Sequence, residues 1–198
     1  ESRLLVSLAT VAAAIAPGSA AFSAASCACY AFHTKWNDQG TRIMLILRQF
    51  PTAGRKGRSR NWLVTMDADG SNIAVAVPPD VWGDGHHPNW HPDGLHILMN
   101  LKVDGQTMRF CLYKHDGSDL RVLSEKHLGS GHPSIEGSGR YLLTDCYVWE
   151  PMAQENGEVP IRLLDLHTDQ EEHICTIYTL KLSDLLRVNN ITNAALVR

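Results

Sequence analysis

The stretch His87-Pro-Asn-Trp90-His-Pro-Asp-Gly94 is written twice more with the same internal offsets, as His33-Thr-Lys-Trp36-Asn-Asp-Gln-Gly40 and His132-Pro-Ser-Ile135-Glu-Gly-Ser-Gly139. In each copy an apolar residue follows His by three positions and Gly follows it by seven. A β-rich run comes next, over 42–48, 96–102 and 140–147, and reads as a strand. A second phrase then recurs: Asn61 to Ser71 and Arg109 to Ser118, each closing on Asp-Gly-Ser, and Ile161 to Asp169. With a further short strand after each (Ile73 to Val77, Leu120 to Leu123, Glu172 to Ile177), every repeat holds four strands.

A four-stranded repeat with its leading His 54 and then 45 residues from the next copy has the period of a β-propeller blade. The fold class is all-β, with about three four-stranded blades. Propellers close with about four to eight blades, so a larger, seven-bladed ring is expected. Residues 31–80, 81–126 and 127–178 are the three blades. Residues 179–198 read as a linker toward a missing blade. Residues 1–30 read as the end of a preceding blade or as a signal-like segment. Leu4 to Ala16 followed by Gly18-Ser-Ala-Ala21 imitates a signal peptide, yet only Arg3 stands ahead of the apolar core and there is no initiating Met.

The 198 residues are 44% hydrophobic and 20% charged, which is globular composition. Eighteen basic against 21 acidic residues give a net charge of −3, without the basic footprint a phosphate backbone requires, so nucleic acid is not expected as a partner. The exception is Arg55-Lys-Gly-Arg58-Ser-Arg60, a basic loop that reads either as a solvated hairpin tip or as a contact for an anionic ligand. Five cysteines, Cys27, Cys29, Cys111, Cys146 and Cys175, are odd in number and lack CxxC spacing, which fits free thiols in a reducing compartment. A cytoplasmic location is expected, with export the alternative if residues 1–25 are a signal peptide. No apolar run is long enough to span a membrane, and no membrane partner is expected. Oligomeric state is left open, although exposed blade edges favour self-association.

His33, His87 and His132 each stand at the head of the innermost strand, where a propeller brings equivalent residues of adjacent blades together at one end of its channel. Three imidazoles there suit metal binding or proton transfer; equally, each would serve as a hydrogen-bonded tie between blades. Trp36, Trp90 and Ile135 are expected in the core. Arg48, Asp145 and Tyr147 end the following strands near the same mouth, where a guanidinium and a phenol suit an anionic sugar, or a structural ion pair. His91, His96, His115, His127, His167 and His173 are expected at the surface.

The phrases Gly85-His86-His87-Pro-Asn-Trp90-His-Pro-Asp-Gly94 and Gly131-His132-Pro-Ser134, the latter running on to Tyr141-Leu-Leu-Thr-Asp145-Cys-Tyr147, resemble oligogalacturonate lyases and related polysaccharide lyases. More distantly they resemble TolB-type propeller repeats, over about residues 32 to 178. The lyase resemblance implies that His87 is a catalytic histidine and that His132 is the first ligand of a divalent metal, manganese (Mn2+). It draws the other ligands from a later blade beyond Arg198. It also implies a catalytic arginine from the blade before His87, where Arg48, Arg58 and Arg60 are available; His33 and Tyr147, by their place at the mouth, are the candidates for substrate binding. The implied chemistry is β-elimination on an oligouronide, with an anionic oligosaccharide as partner. The TolB resemblance implies instead a non-catalytic platform for a sugar or a protein.

Overall fold

The computed structural model describes residues 4–16, 27–51 and 58–179, as three four-stranded antiparallel sheets and two helices. Blade 1 has the order β1 (Cys27–Trp36), β2 (Arg42–Pro51), β3 (Arg60–Asp67), β4 (Ala74–Val77). Blade 2 follows with β5 (His86–Trp90), β6 (His96–Leu101), β7 (Arg109–Lys114) and β8 (Arg121–Val122). Blade 3 has β9 (Ser134–Ile135), β10 (Tyr141–Thr144), β11 (Glu158–Asp165) and β12 (Gln170–Tyr178). Helix α1 spans Leu8–Ile15, and α2 (Pro79–Trp82) carries the chain from blade 1 to blade 2.

The second strand of blades 1 and 2 is apolar along its length because both of its faces are covered. In blade 1, Met44 and Ile46 pack with Ile97, Met99 and Leu101 of blade 2, while Ile43, Leu45 and Leu47 pack on the opposite face. In blade 2, Leu98, Phe110 and Leu112 meet Leu142 and Leu164 of blade 3. Polar ties seal the seams. Trp90 Nε1 donates to Lys35 O at 3.1 Å, Asn37 Nδ2 to Gly94 O at 3.1 Å, and Thr65 Oγ1 to His115 O at 2.7 Å.

Several expectations are corrected. The apolar N-terminal run is a helix over Leu8–Ile15, capped by Ser7 Oγ on Thr10 N at 3.0 Å, and it seats Val11 against blade 1. Cys27 to Tyr30 belong to β1 of the first blade rather than to a preceding one. Trp36 is 54% exposed, whereas Trp90 and Ile135 are 7% exposed. The residue in this slot faces the preceding blade, and for blade 1 that face carries α1, which leaves about half of the indole exposed. His127 is not a surface group: its side chain is 11% exposed, with Nδ1 3.2 Å from Glu171 Oε2. Beside it the buried Arg162 donates to Glu171 Oε2 at 2.6 Å. The signal-like residues 17–25, Arg55, Lys56 and the 180–198 linker lie outside the described residues.

Candidate functional site

Two of the three repeated histidines sit on a strained backbone. His33 (φ +52°) and His87 (φ +55°) both occupy the left-handed region, each at a β-bulge that breaks the register of an inner strand, Phe32/Lys35 in β1 and His86/Asn89 in β5. Non-glycine residues avoid this region, and a bulge re-aims a side chain, so its recurrence at one repeat position marks a built feature. His33 therefore lies within β1 rather than at its start. In blade 3 the left-handed residue is Gly131 (φ +54°), and His132 precedes the short β9. A Cβ on Gly131 would lie 2.1 Å from Asp145 Oδ1, so this close approach requires glycine.

The bulges aim the imidazoles at one another. Ring centroids are 6.0 Å apart for His33 and His87, 3.9 Å for His87 and His132, and 5.0 Å for His86 and His87. His87 Nε2 is hydrogen-bonded to the Tyr147 hydroxyl. Asp145 holds His132 by its backbone N–H (2.6 Å) and by Nδ1 (3.0 Å). Tyr147 lies past the end of β10 in a loop closed by Glu150, which accepts from Tyr147 N at 2.8 Å and from Ser130 Oγ. Trp149, 75% exposed, stacks on the Tyr147 ring at 4.5 Å. Behind the rings, the buried Asn100 donates through Nδ2 to Gly131 O at 3.0 Å and Ser130 O at 3.2 Å, tying blade 2 to blade 3 beneath the cluster.

Partial burial, the neighbouring imidazoles and Lys35 together push His87 down to about 4. Burial likewise lowers His86, and burial with Lys35 lowers His33. These rings are neutral near pH 7 and able to accept a proton. Burial, and then the carboxylates of Asp145 and Glu150, raises the Tyr147 phenol, which stays protonated. The cluster thus pairs a neutral base with a neutral acid. Lys35, half-buried, donates to Pro88 O at 2.8 Å on the strand that carries His87.

Of the residues singled out in the sequence, His33, His87, His132 and Tyr147 are brought together. Arg48 stands one ring away, its guanidinium 4.6 Å over Phe32, whose ring meets His33, with Nε donating to Asn61 at 2.8 Å. Arg60 is not in the cluster; it lies at the start of β3 over the Trp62 ring. Sequence reasoning left out His86, Lys35 and Trp149. The first two adjoin the repeated phrase, whereas nothing in the sequence marks the folding back of the 145–150 loop. Among the described residues no group of three His, Cys, Asp or Glu side chains is disposed to hold a metal ion. The carboxylate of Asp145 is turned onto the backbone and Nδ1 of His132.

No protein-family model and no curated protein matches the chain. Solved structures do. An acylaminoacyl peptidase from Pyrococcus horikoshii aligns with TM-score 0.53 and 12% identity over 78% of this chain and 26% of that one. An oligogalacturonate lyase in complex with manganese aligns with TM-score 0.50 and 14% identity over 77% of this chain and 43% of that one. A TolB-like protein from Agrobacterium tumefaciens aligns with TM-score 0.47 and 14% identity over 75% and 82%. The chain spans less than half the length of the lyase and about a quarter of the peptidase. At these identities the likeness is one of fold: the chain is three blades of a β-propeller.

Proposed function

We propose that these blades carry an oligouronide site and that His87 and Tyr147 are the proton-transfer pair of a β-elimination there. The observation that supports it most is the hydrogen bond between His87 Nε2 and the Tyr147 hydroxyl, ringed by three further imidazoles and Lys35. In such a reaction the base takes the proton on C5, a C4=C5 double bond forms as the C4–O bond breaks, and an acid protonates the departing oxygen. A neutral His87 accepts the first proton and the protonated Tyr147 supplies the second. His87 is a weak base in the free protein. A sugar carboxylate settling among His87, His132 and Lys35 favours the protonated ring and raises its pKa toward the working range. The exposed Trp149 offers a flat apolar face for a pyranose ring.

The test follows the ultraviolet absorbance of the unsaturated product when the protein is given polygalacturonate. The reading expects a rise that His87→Ala and Tyr147→Phe each abolish, with sugar binding weakened in His87→Ala and retained in Tyr147→Phe. A folded protein that binds the polymer and gives no rise overturns the elimination. It leaves the second reading, a non-catalytic sugar-binding platform, which the engagement of His132 by Asp145 and of Arg48 by Asn61 supports.

A further inference from the structure

Beside the cluster, between blades 1 and 2, runs a groove of about 480 Å³ lined by Arg58, Arg60, Asn61, Asp80, Asp84 and Lys102, among others. None of these residues takes part in the chemistry above. The groove and the cluster are linked through short stretches of chain and hydrogen bonds in both blades. Asp84 is three residues ahead of His87, and the intervening Gly85 is pinned: a Cβ there would lie 2.6 Å from Leu101 Cδ2, 2.8 Å from Trp82 O and 2.9 Å from Asn100 O. Lys102 follows Asn100 by two residues, and the Asn100 amide lies 3.3 Å from His86 Nδ1. On the other wall, Asn61 in the groove accepts from Arg48, whose guanidinium covers Phe32 beside His33.

We propose that this groove is a second subsite of the oligouronide site, holding a sugar acid at least one unit along the chain from the unit at His87; it rests on reading that cluster as a uronide site. The lining selects this class of ligand. Two cations, Arg58 and Lys102, suit a carboxylate, and a guanidinium such as that of Arg58 brings a planar fork of donors to its two oxygens. Asp80 and Asp84 would repel a bare inorganic anion, but they accept hydrogen bonds from sugar hydroxyls, as Asn61 does. The Lys102–Asp84 pair, at 3.1 Å, is solvent-exposed and weak, with side chains 31% and 68% exposed. Its partners are free to exchange one another for a ligand carboxylate and a ligand hydroxyl.

Calorimetric titration with digalacturonate and with hexagalacturonate tests this on the wild type, on the double variant Arg58→Gln/Lys102→Gln, and on His87→Ala, with circular dichroism confirming the fold of each. The expected result is hexamer binding at least ~10-fold tighter than dimer binding in the wild type. The double variant loses that margin and keeps its dimer affinity. A double variant that retains the full margin, in a protein whose binding still depends on His87, overturns the subsite and leaves the cluster reading standing. Failure of the wild type to bind either oligomer, or indifference of both to His87→Ala, overturns the cluster reading and the subsite with it.

Discussion

The imidazoles of His87 and His132, contributed by adjacent blades, lie with ring centroids 3.9 Å apart, and neither ring is free: His87 is bonded to Tyr147 and His132 to Asp145. Two rings this close cannot both be protonated without strong repulsion, and the energetic consequences reach beyond the site.

The first consequence is for stability against pH. His87 is lowered to about 4 in the folded chain and has its ordinary value of 6.5 when unfolded, and His33 and His86 are lowered as well. As pH falls, the unfolded chain therefore takes up protons first. The contribution is fully present above pH 6.5 and is lost progressively down to about pH 4. Urea midpoints are expected to fall across that window, and less so in His87→Gln. A midpoint that holds level contradicts the burial of neutral rings.

Trp36 and Trp90 share a repeat position and differ in exposure, 54% against 7%. Trp90→Ala removes a core indole and its bond to Lys35 O, and is expected to cost about 3–5 kcal/mol; Trp36→Ala is expected to cost about 1 kcal/mol or less. Equal losses in chemical denaturation would show that something covers Trp36.

Gly131→Ala combines a left-handed φ with a Cβ driven to 2.1 Å from Asp145 Oδ1 and 2.3 Å from Asp145 O, and is expected to destabilise by about 2 kcal/mol or more. Gly137→Ala, with nothing within 4 Å, is expected to stay within about 0.5 kcal/mol of wild type. Thermal melts of the pair check the contrast.

In blade 3, Glu171 is the counter-ion of the buried Arg162, and its carboxylate also meets His127. Glu171→Gln is expected to cost about 2–3 kcal/mol, below the range for a fully buried pair because Glu171 is 28% exposed. A loss under about 0.5 kcal/mol in urea unfolding would mean that Arg162 is satisfied by Leu128 O alone.

The blades were legible in the sequence because strand, turn and glycine recur at fixed offsets, and each strand's neighbours across the sheet follow from that period. Helix α1 was not. An Ala-rich apolar run reads alike as a strand or a helix, and what decides between those two is the Ser7 cap and the docking of Val11 on blade 1. The period marks Trp36 as equivalent to Trp90 and says nothing of what covers it. His33, His87 and His132 were legible as a converging set because one repeat position meets its copies around the channel. His86 joins them because the β5 bulge brings two consecutive rings together, and Trp149 because its loop is held by Glu150. The exposed apolar residues of blade 3, Leu143, Ile174, Ile177 and Tyr178, show that its far side is uncovered among the described residues, as expected for part of a larger ring.

The most direct test of the account is an NMR titration of the His87 ring in the free protein and in the presence of saturating digalacturonate. The account predicts titration near 4 in the free protein and a clear upward displacement when the sugar carboxylate is bound, reversed by Lys35→Met/His132→Gln. An ordinary value near 6.5 in the free protein, or a ring indifferent to the uronide, contradicts it.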